Sequence, residues 1–134
     1  MNKIEARELL MQAVFQMEIQ KDQSNELLER LIKDKDAEKD YGKYIRGTFE
    51  TLRKNLEDID RTINRYSRNW DVKRMPKTDL AILRLAVCEV LYCDNIVDAV
   101  AINAAVDMSK KFCNEESRKF INGVLGSVSR SKDA

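Results

Sequence analysis

The sequence predicts an all-α fold of about seven helices within a single domain of 134 residues. Residues that favour tight turns are scarce, since the chain has four glycines and one proline. This number is too small for the many tight turns of a β-sandwich or barrel. Apolar residues recur every three or four positions along most of the chain, which is the spacing of an amphipathic helix. With 43% hydrophobic residues, a chain of this length can bury one ordinary core.

The N-terminal third is predicted to form two helices followed by a charged connection. The first helix spans residues 3 to about 20, and its inward stripe is Ile4, Leu10, Ala13, Val14 and Met17. Ser24 is placed to cap a short second helix, whose inward residues are Leu27, Leu28, Leu31 and Ile32. Residues 33–40 carry charges of both signs and no large apolar residue, which indicates a solvated connection.

Two further helices are predicted before the only proline. Apolar positions continue with helical spacing from Tyr41 to Tyr66, and a break near Asn55 would divide them into two helices. Pro76 followed by Asp79 is typical of the start of the next helix.

The last three predicted helices include the most apolar one. Residues 80–92 are apolar on nearly every side and are interrupted only by Arg84 and Glu89, which predicts a buried central helix. Asp98 and Asn114 are the predicted N-caps of the sixth and seventh helices. The buried stripe predicted for the seventh helix is Phe120, Ile121, Val124, Leu125 and Val128.

The composition excludes most catalytic sites. No histidine is present, which removes the usual general base and the zinc sites that need an imidazole. The three cysteines lack metal-binding spacing and are predicted to be reduced thiols. Gly123 and Gly126 lie inside a helical pattern, which predicts a close helix contact and not a phosphate-binding loop. We therefore expect a non-enzymatic protein without cofactor or metal. Since neither a signal peptide nor a long apolar stretch is visible, we also expect a cytoplasmic protein that does not bind membranes.

Charge is balanced overall but unevenly distributed. The formal net charge is +1, from 24 basic and 23 acidic residues. Basic residues are in excess in 41–75 and 109–134, whereas acidic residues are in excess in 76–108. Bulk charge therefore argues neither for nor against a polyanionic partner.

Several segments resemble the NusB family of bacterial transcription antitermination factors. They are VAINAAVDMSKKF at 100–112, SRKFINGVL at 117–125, ARE at 6–8 with QAVF at 12–15, and ILRLAVCE at 82–89. The resemblance implies seven helices in two small subdomains, about 1–54 and 55–134. It also implies a protein that pairs with NusE, a small-subunit ribosomal protein, on the boxA element of ribosomal RNA transcripts. Such a pair helps to recruit a complex that makes RNA polymerase resist termination.

The same resemblance nominates binding residues. It places RNA contacts at Lys3, Arg7 and Phe15 of the first helix, and at Phe112, Glu116, Lys119 and Phe120 near the C-terminus. It places the NusE contact at Asp79 and Phe15. Judged by helical spacing alone, Phe120 is a core residue, Phe15 is undecided, and Arg7 and Lys119 are solvated charges.

Two other functions stay open at this point. Only Lys3 precedes Arg7, where the family often has several consecutive arginines, so we expect weak RNA binding by the isolated chain. The chain could therefore be a helical interaction module or a homodimer with little RNA affinity. An accessory domain of an RNA methyltransferase has a similar fold, but these 134 residues include no Gly-rich cofactor domain.

Overall fold

The computed structural model describes residues 1–68 and 70–133, and helices make up most of both ranges. The α-helices within them are α1 (Lys3–Gln20), α2 (Glu26–Asp34), α3 (Glu38–Lys54), α4 (Leu56–Tyr66), α5 (Lys77–Tyr92), α6 (Asp98–Phe112) and α7 (Glu115–Ser131). A single turn of 3₁₀-helix, Val72–Arg74, lies between α4 and α5. These two ranges contain no strand, so the predicted all-α class is confirmed. None of the helices described is both long and apolar enough to cross a membrane.

Helix α5 is the centre of the fold. It packs against α1, α3, α4, α6 and α7, and every residue from Asp79 to Val90 is buried. This burial confirms the prediction made from its lack of a polar face. Buried residues of α1–α3 and of α4–α7 belong to one continuous core, so the division into subdomains at residues 54 and 55 stays a prediction.

Two predicted helix ends are confirmed in detail. Asn55 separates α3 from α4, and Asn114 caps α7 by accepting a hydrogen bond from the Ser117 backbone N–H at 2.8 Å. At the start of α1, the Asn2 side chain accepts from the Glu5 N–H while the Glu5 carboxylate accepts from the Asn2 N–H. This reciprocal capping box satisfies two backbone donors that the first turn leaves unpaired.

Two other predicted caps are wrong. Ser24 lies outside α2, and its hydroxyl donates to the Asp22 carboxylate at 3.2 Å instead of capping the helix. Asp98 is the first residue of α6, and its carboxylate accepts from the Ser129 hydroxyl at 2.7 Å and from Lys132 at 2.8 Å. The donors to Asp98 lie more than 30 residues away, so local sequence rules do not consider them. The contact between Asp22 and Ser24 is instead a local turn, which competes with the cap.

Three other local expectations are wrong for tertiary reasons. Helical spacing predicts a buried Ile4, yet this residue is 66% exposed, because its side of the first turn of α1 lies outside the packed core. The connection at 33–40 is not solvated throughout, since Ala37 is fully buried and α3 begins at Glu38. Gly123 faces open space, so no close helix contact requires glycine there.

Asn114→Ala is expected to lower the free energy of unfolding by about 1 kcal/mol, because α7 loses its side-chain cap. Ser24→Ala is the matched control, since Ser24 caps no helix, and we expect a much smaller change. Urea denaturation of both variants measures the difference. Equal losses would contradict the assignment of Asn114 as the cap.

Candidate nucleic-acid interface

The residues nominated from the sequence lie in three places. One is a buried polar cluster under α1, one is a groove between α1 and α6, and one is a groove between α5 and α7. The buried cluster contains Lys3 and Arg7. The α1–α6 groove contains Phe15 and Phe112. The α5–α7 groove contains Asp79, Glu116 and Phe120. Lys119 is outside these three places and is highly exposed.

Arg7 belongs to the protein interior. It is 6% exposed, and its Nε donates to Glu89 Oε1 at 3.0 Å. Burial acts to lower the pKa of Arg7, but the hydrogen bond and the charge of Glu89 outweigh burial and raise it. The prediction that Arg7 is a solvated charge is therefore wrong, because its guanidinium is enclosed and paired with Glu89. Its assignment as an RNA contact stays a prediction.

Lys3 is also held by its surroundings. Its ammonium lies 3.4 Å from the centre of the Tyr44 ring, which is a cation–π contact. Burial, followed by the charge of Arg7, lowers the pKa of Lys3. The Tyr44 hydroxyl in turn donates to Glu89 Oε2 at 2.6 Å, and burial and the Glu89 charge raise its pKa. Lys3 is half-buried, so part of it still reaches solvent.

The α1–α6 groove is an open space of about 750 Å³ with aromatic walls. Phe15 is half-buried against the core, whereas Phe112 is 43% exposed. Two cationic residues, Lys35 and Lys111, also line this groove. Lys111 lies 5.2 Å from the Phe112 ring centre and donates to both Glu8 oxygens at 3.0 Å. Cations and aromatic faces thus occur together here.

The α5–α7 groove is smaller, about 160 Å³, and contains two carboxylates. Asp79 is 5% exposed and Glu116 is exposed. The rings of Trp70 and Phe120 meet edge to face, with centres 6.5 Å apart and planes at 64°. Burial, followed by a hydrogen bond to Asp79, raises the pKa of Cys113 to about 12, so this thiol stays protonated.

The two grooves meet at the start of α5. Thr78 lines the α1–α6 groove, and its neighbour Asp79 lines the α5–α7 groove. Phe120, which helical spacing assigned to the core, is half-buried and lines the second groove. Phe120 therefore packs against the core and also contributes to the surface of the groove.

Three of the cations beside the grooves have carboxylate neighbours, whereas Lys35 forms no ion pair within the described residues. Lys119 is 3.9 Å from Glu115, and Arg118 is 3.2 Å from the same carboxylate. Lys111 is bound to Glu8, as described above. A phosphate that binds here competes with these carboxylates, so the electrostatic attraction is moderate.

Sequence reasoning missed three residues of these surfaces, namely Lys35, Trp70 and Lys111. Lys111 had a local signal, because it immediately precedes Phe112 and makes a cation–aromatic pair with it. Lys35 and Trp70 had none, since only folding brings them beside residues more than 40 positions away.

Comparison with known proteins gives consistent matches. The NusB family model matches residues 4–130. The transcription antitermination protein NusB of Acetivibrio thermocellus is 41% identical over 132 residues, covering 98% of this chain and 91% of the relative. The solved structure of T. maritima NusB superposes with a TM-score of 0.89 at 30% identity, covering 97% of this chain and 92% of that one.

A further solved structure has the same fold. It is a crystal structure of antitermination factors NusB and NusE in complex with dsRNA, and the matching chain is 23% identical with a TM-score of 0.87. The alignment covers 98% of this chain and 99% of that chain. At this level of identity the similarity shows a common fold.

Proposed function

The chain belongs to the NusB family, and from that membership we propose that it acts as a transcription antitermination factor. In this proposal it pairs with NusE, binds the boxA element of ribosomal RNA transcripts and helps RNA polymerase to resist termination. The role is one of binding, without catalysis or cofactor. The names of the similar proteins support it, and so does the NusB–NusE–dsRNA complex that shares the fold.

The observation that carries the proposal is the α1–α6 groove. Single-stranded RNA is bound by combining cations for phosphates with aromatic faces for unpaired bases. The groove supplies Phe112 and Phe15 as faces, with Lys35 and Lys111 as cations. We assign base stacking to the two phenylalanines and phosphate contacts to these lysines and the exposed Lys119.

Arg7 receives a different role from the one that the resemblance implied. Its ion pair with Glu89 joins α1 to α5, so it positions the helix that carries Phe15 instead of touching RNA. Lys3 is only half-buried, so its ammonium can add a phosphate contact through an N–H that does not face the Tyr44 ring.

The α5–α7 groove suits NusE better than it suits phosphate. The carboxylates of Asp79 and Glu116 repel phosphate but accept hydrogen bonds from cationic or amino groups. We propose that a basic side chain of NusE enters the groove to reach Asp79, while Phe15 contacts NusE from the adjoining groove. Glu116 and Phe120 lie at the rim, where they can accept an amino group of an unpaired base and stack on it.

Calorimetry tests the proposal with the full chain, NusE and boxA RNA. We expect a complex with NusE at micromolar concentration and weak RNA binding that strengthens when NusE is present, because the cations near the grooves are partly neutralised. Failure to bind NusE, together with a dimer in light scattering, would favour the homodimer alternative. RNA affinity that is identical with and without NusE would contradict joint binding.

Phe112→Ala is expected to weaken boxA binding about 5- to 150-fold, the range for losing one stacked base. The dependence of affinity on salt should hardly change, because stacking releases no condensed counterions. Val100→Ala is the control, since Val100 is 50% exposed but lines neither groove. Fluorescence anisotropy at several salt concentrations gives both quantities. A loss of salt dependence in Phe112→Ala would assign the effect to charge and overturn the stacking role.

A further inference from the structure

We propose that the connection between α4 and α5 is a second contact for single-stranded RNA, formed by Trp70 and four cations. The cations are Arg65, Arg68, Lys73 and Arg74. In this arrangement an unpaired base stacks on Trp70 and the cations bind neighbouring phosphates. The inference rests on the proposed function, because it extends the RNA path beyond the α5–α7 groove.

The charge of this connection differs from that of the two grooves. Asp71 is the only acidic residue between Arg65 and Arg74, and its carboxylate is used to accept the Lys73 backbone N–H at 2.9 Å. All four cations are exposed, and none of them forms an ion pair within the part of the chain that the structure describes. Lys111 and Lys119, by contrast, both face carboxylates. Together with Lys35, which also forms no ion pair within the described residues, the connection therefore offers phosphate the least neutralised cations beside the candidate surface.

The fold anchors the connection and brings its two ends together. Asn64 Oδ1 accepts the Val72 backbone N–H at 2.8 Å, which holds the 3₁₀ turn beside the last turn of α4. Arg65 follows Asn64 in the helix turn that this hydrogen bond joins to the segment carrying Lys73 and Arg74. Val72 is buried, as are Ser67 and Met75, so these three residues hold their part of the connection against the protein while the four cations stay exposed.

Trp70 links these cations to the RNA surface already proposed. It is 49% exposed, and its ring packs at a steep angle against that of Phe120, which follows Lys119 in α7. Phe120 restrains one side of the indole, and the exposed part is available to a base. Stacking accepts any base, so this contact adds affinity without demanding a particular sequence.

An acidic protein segment would also be attracted to these cations. The exposed indole beside Phe120 favours RNA, because a large aromatic face among unpaired cations is the combination that single-stranded nucleic acid uses. The connection is also continuous with the α5–α7 groove through Trp70 itself.

Tryptophan fluorescence tests the contact without any mutation of the binding surface. Trp70 is the only tryptophan of the chain, so excitation at its absorption edge reports this residue. We expect boxA RNA, added in the presence of NusE, to quench its emission as the complex forms. The same titration with Trp70→Phe supplies the baseline from every other chromophore. Full complex formation without quenching would overturn the inference.

A charge variant provides the second, independent test. Lys73→Gln/Arg74→Gln should make the slope of log affinity against log salt less steep by about 1.4, since each phosphate contact to single-stranded RNA contributes roughly 0.7. Lys39→Gln/Lys43→Gln removes the same charge from exposed positions of α3 and should leave the slope nearly unchanged. Equal slopes in the two double variants would overturn the inference.

The outcomes separate this inference from the proposed function. If the unmodified chain and NusE bind no boxA RNA, the proposed function fails and the inference fails with it. If they bind RNA but Trp70 is not quenched and the charge variant behaves like its control, only the inference fails. If Lys73→Gln/Arg74→Gln loses NusE while its RNA binding is normal, the connection is a protein-binding surface and the inference is wrong.

Discussion

Arg7→Met is expected to lower the free energy of unfolding by roughly 3–5 kcal/mol, the cost of removing one partner from a buried ion pair. Arg7 and Glu89 are 6% and 1% exposed, and their side chains meet at 3.0 Å. Without the guanidinium, the Glu89 carboxylate keeps only the Tyr44 hydroxyl as a donor. An uncompensated charge would then be buried between α1 and α5. Urea denaturation of the variant measures the loss.

A double-mutant cycle separates the ion pair from other effects of the substitution. Glu89→Gln keeps an acceptor for Tyr44 but removes the charge, so Arg7→Met/Glu89→Gln should be less destabilised than the sum of the single variants. Strict additivity would show that the two side chains do not act as a pair.

RNA binding distinguishes a positioning role for Arg7 from a phosphate contact. At a temperature where Arg7→Met is still folded, the salt dependence of boxA binding should equal that of the unmodified chain, because no phosphate contact has been removed. A flatter dependence would show that Arg7 touches RNA directly.

Arg84→Met is expected to cost about 3 kcal/mol, because Arg84 ties three helices together through two carboxylates. Its guanidinium, 4% exposed, donates twice to Asp60 at 2.8 Å and once to Glu18 at 2.9 Å. These bonds connect α5 to α4 and to α1. Arg61→Gln is the control, since Arg61 is highly exposed and pairs only within α4; we expect less than about 1 kcal/mol there.

The same ion-pair network predicts how stability depends on pH. Burial acts to raise the pKa of Glu18, but hydrogen bonds from Lys21 and Arg84 outweigh burial and lower it below the ordinary 4.5. A carboxylate with a lowered pKa in the folded state stabilises fully above its ordinary pKa, and the stabilisation is lost as pH falls through the lower value. The free energy of unfolding should therefore decrease below about pH 4.5. In Arg84→Met this decrease should be smaller, and an unchanged decrease would show that Arg84 does not set the pKa of Glu18.

Local pattern and composition were enough to predict several features of the fold. Few glycines and a helical spacing of apolar residues were enough to predict the all-α class. The break at Asn55 and the cap at Asn114 follow from rules that act within one or two turns. The apolar run at 80–92 was enough to predict the central helix, since a helix without a polar face must be covered by its neighbours. Phe112 and Phe120, which the resemblance and not the spacing nominated as RNA contacts, line open grooves in the structure, and their contact with RNA stays a prediction.

Which polar and aromatic groups are available to a partner depends on how distant segments pack together. Arg7 reads as a solvated charge until folding places Glu89, 82 residues away, beside it. Trp70 and Phe120 form a common surface only after α4, α5 and α7 pack together. Ile4 is exposed although its spacing suits the core, because burial depends on whether a neighbouring helix covers that turn. The physical reason is common to all three. Helical periodicity specifies the face of a helix on which a side chain lies, whereas charge pairing, groove formation and burial depend on which distant segment packs against that face.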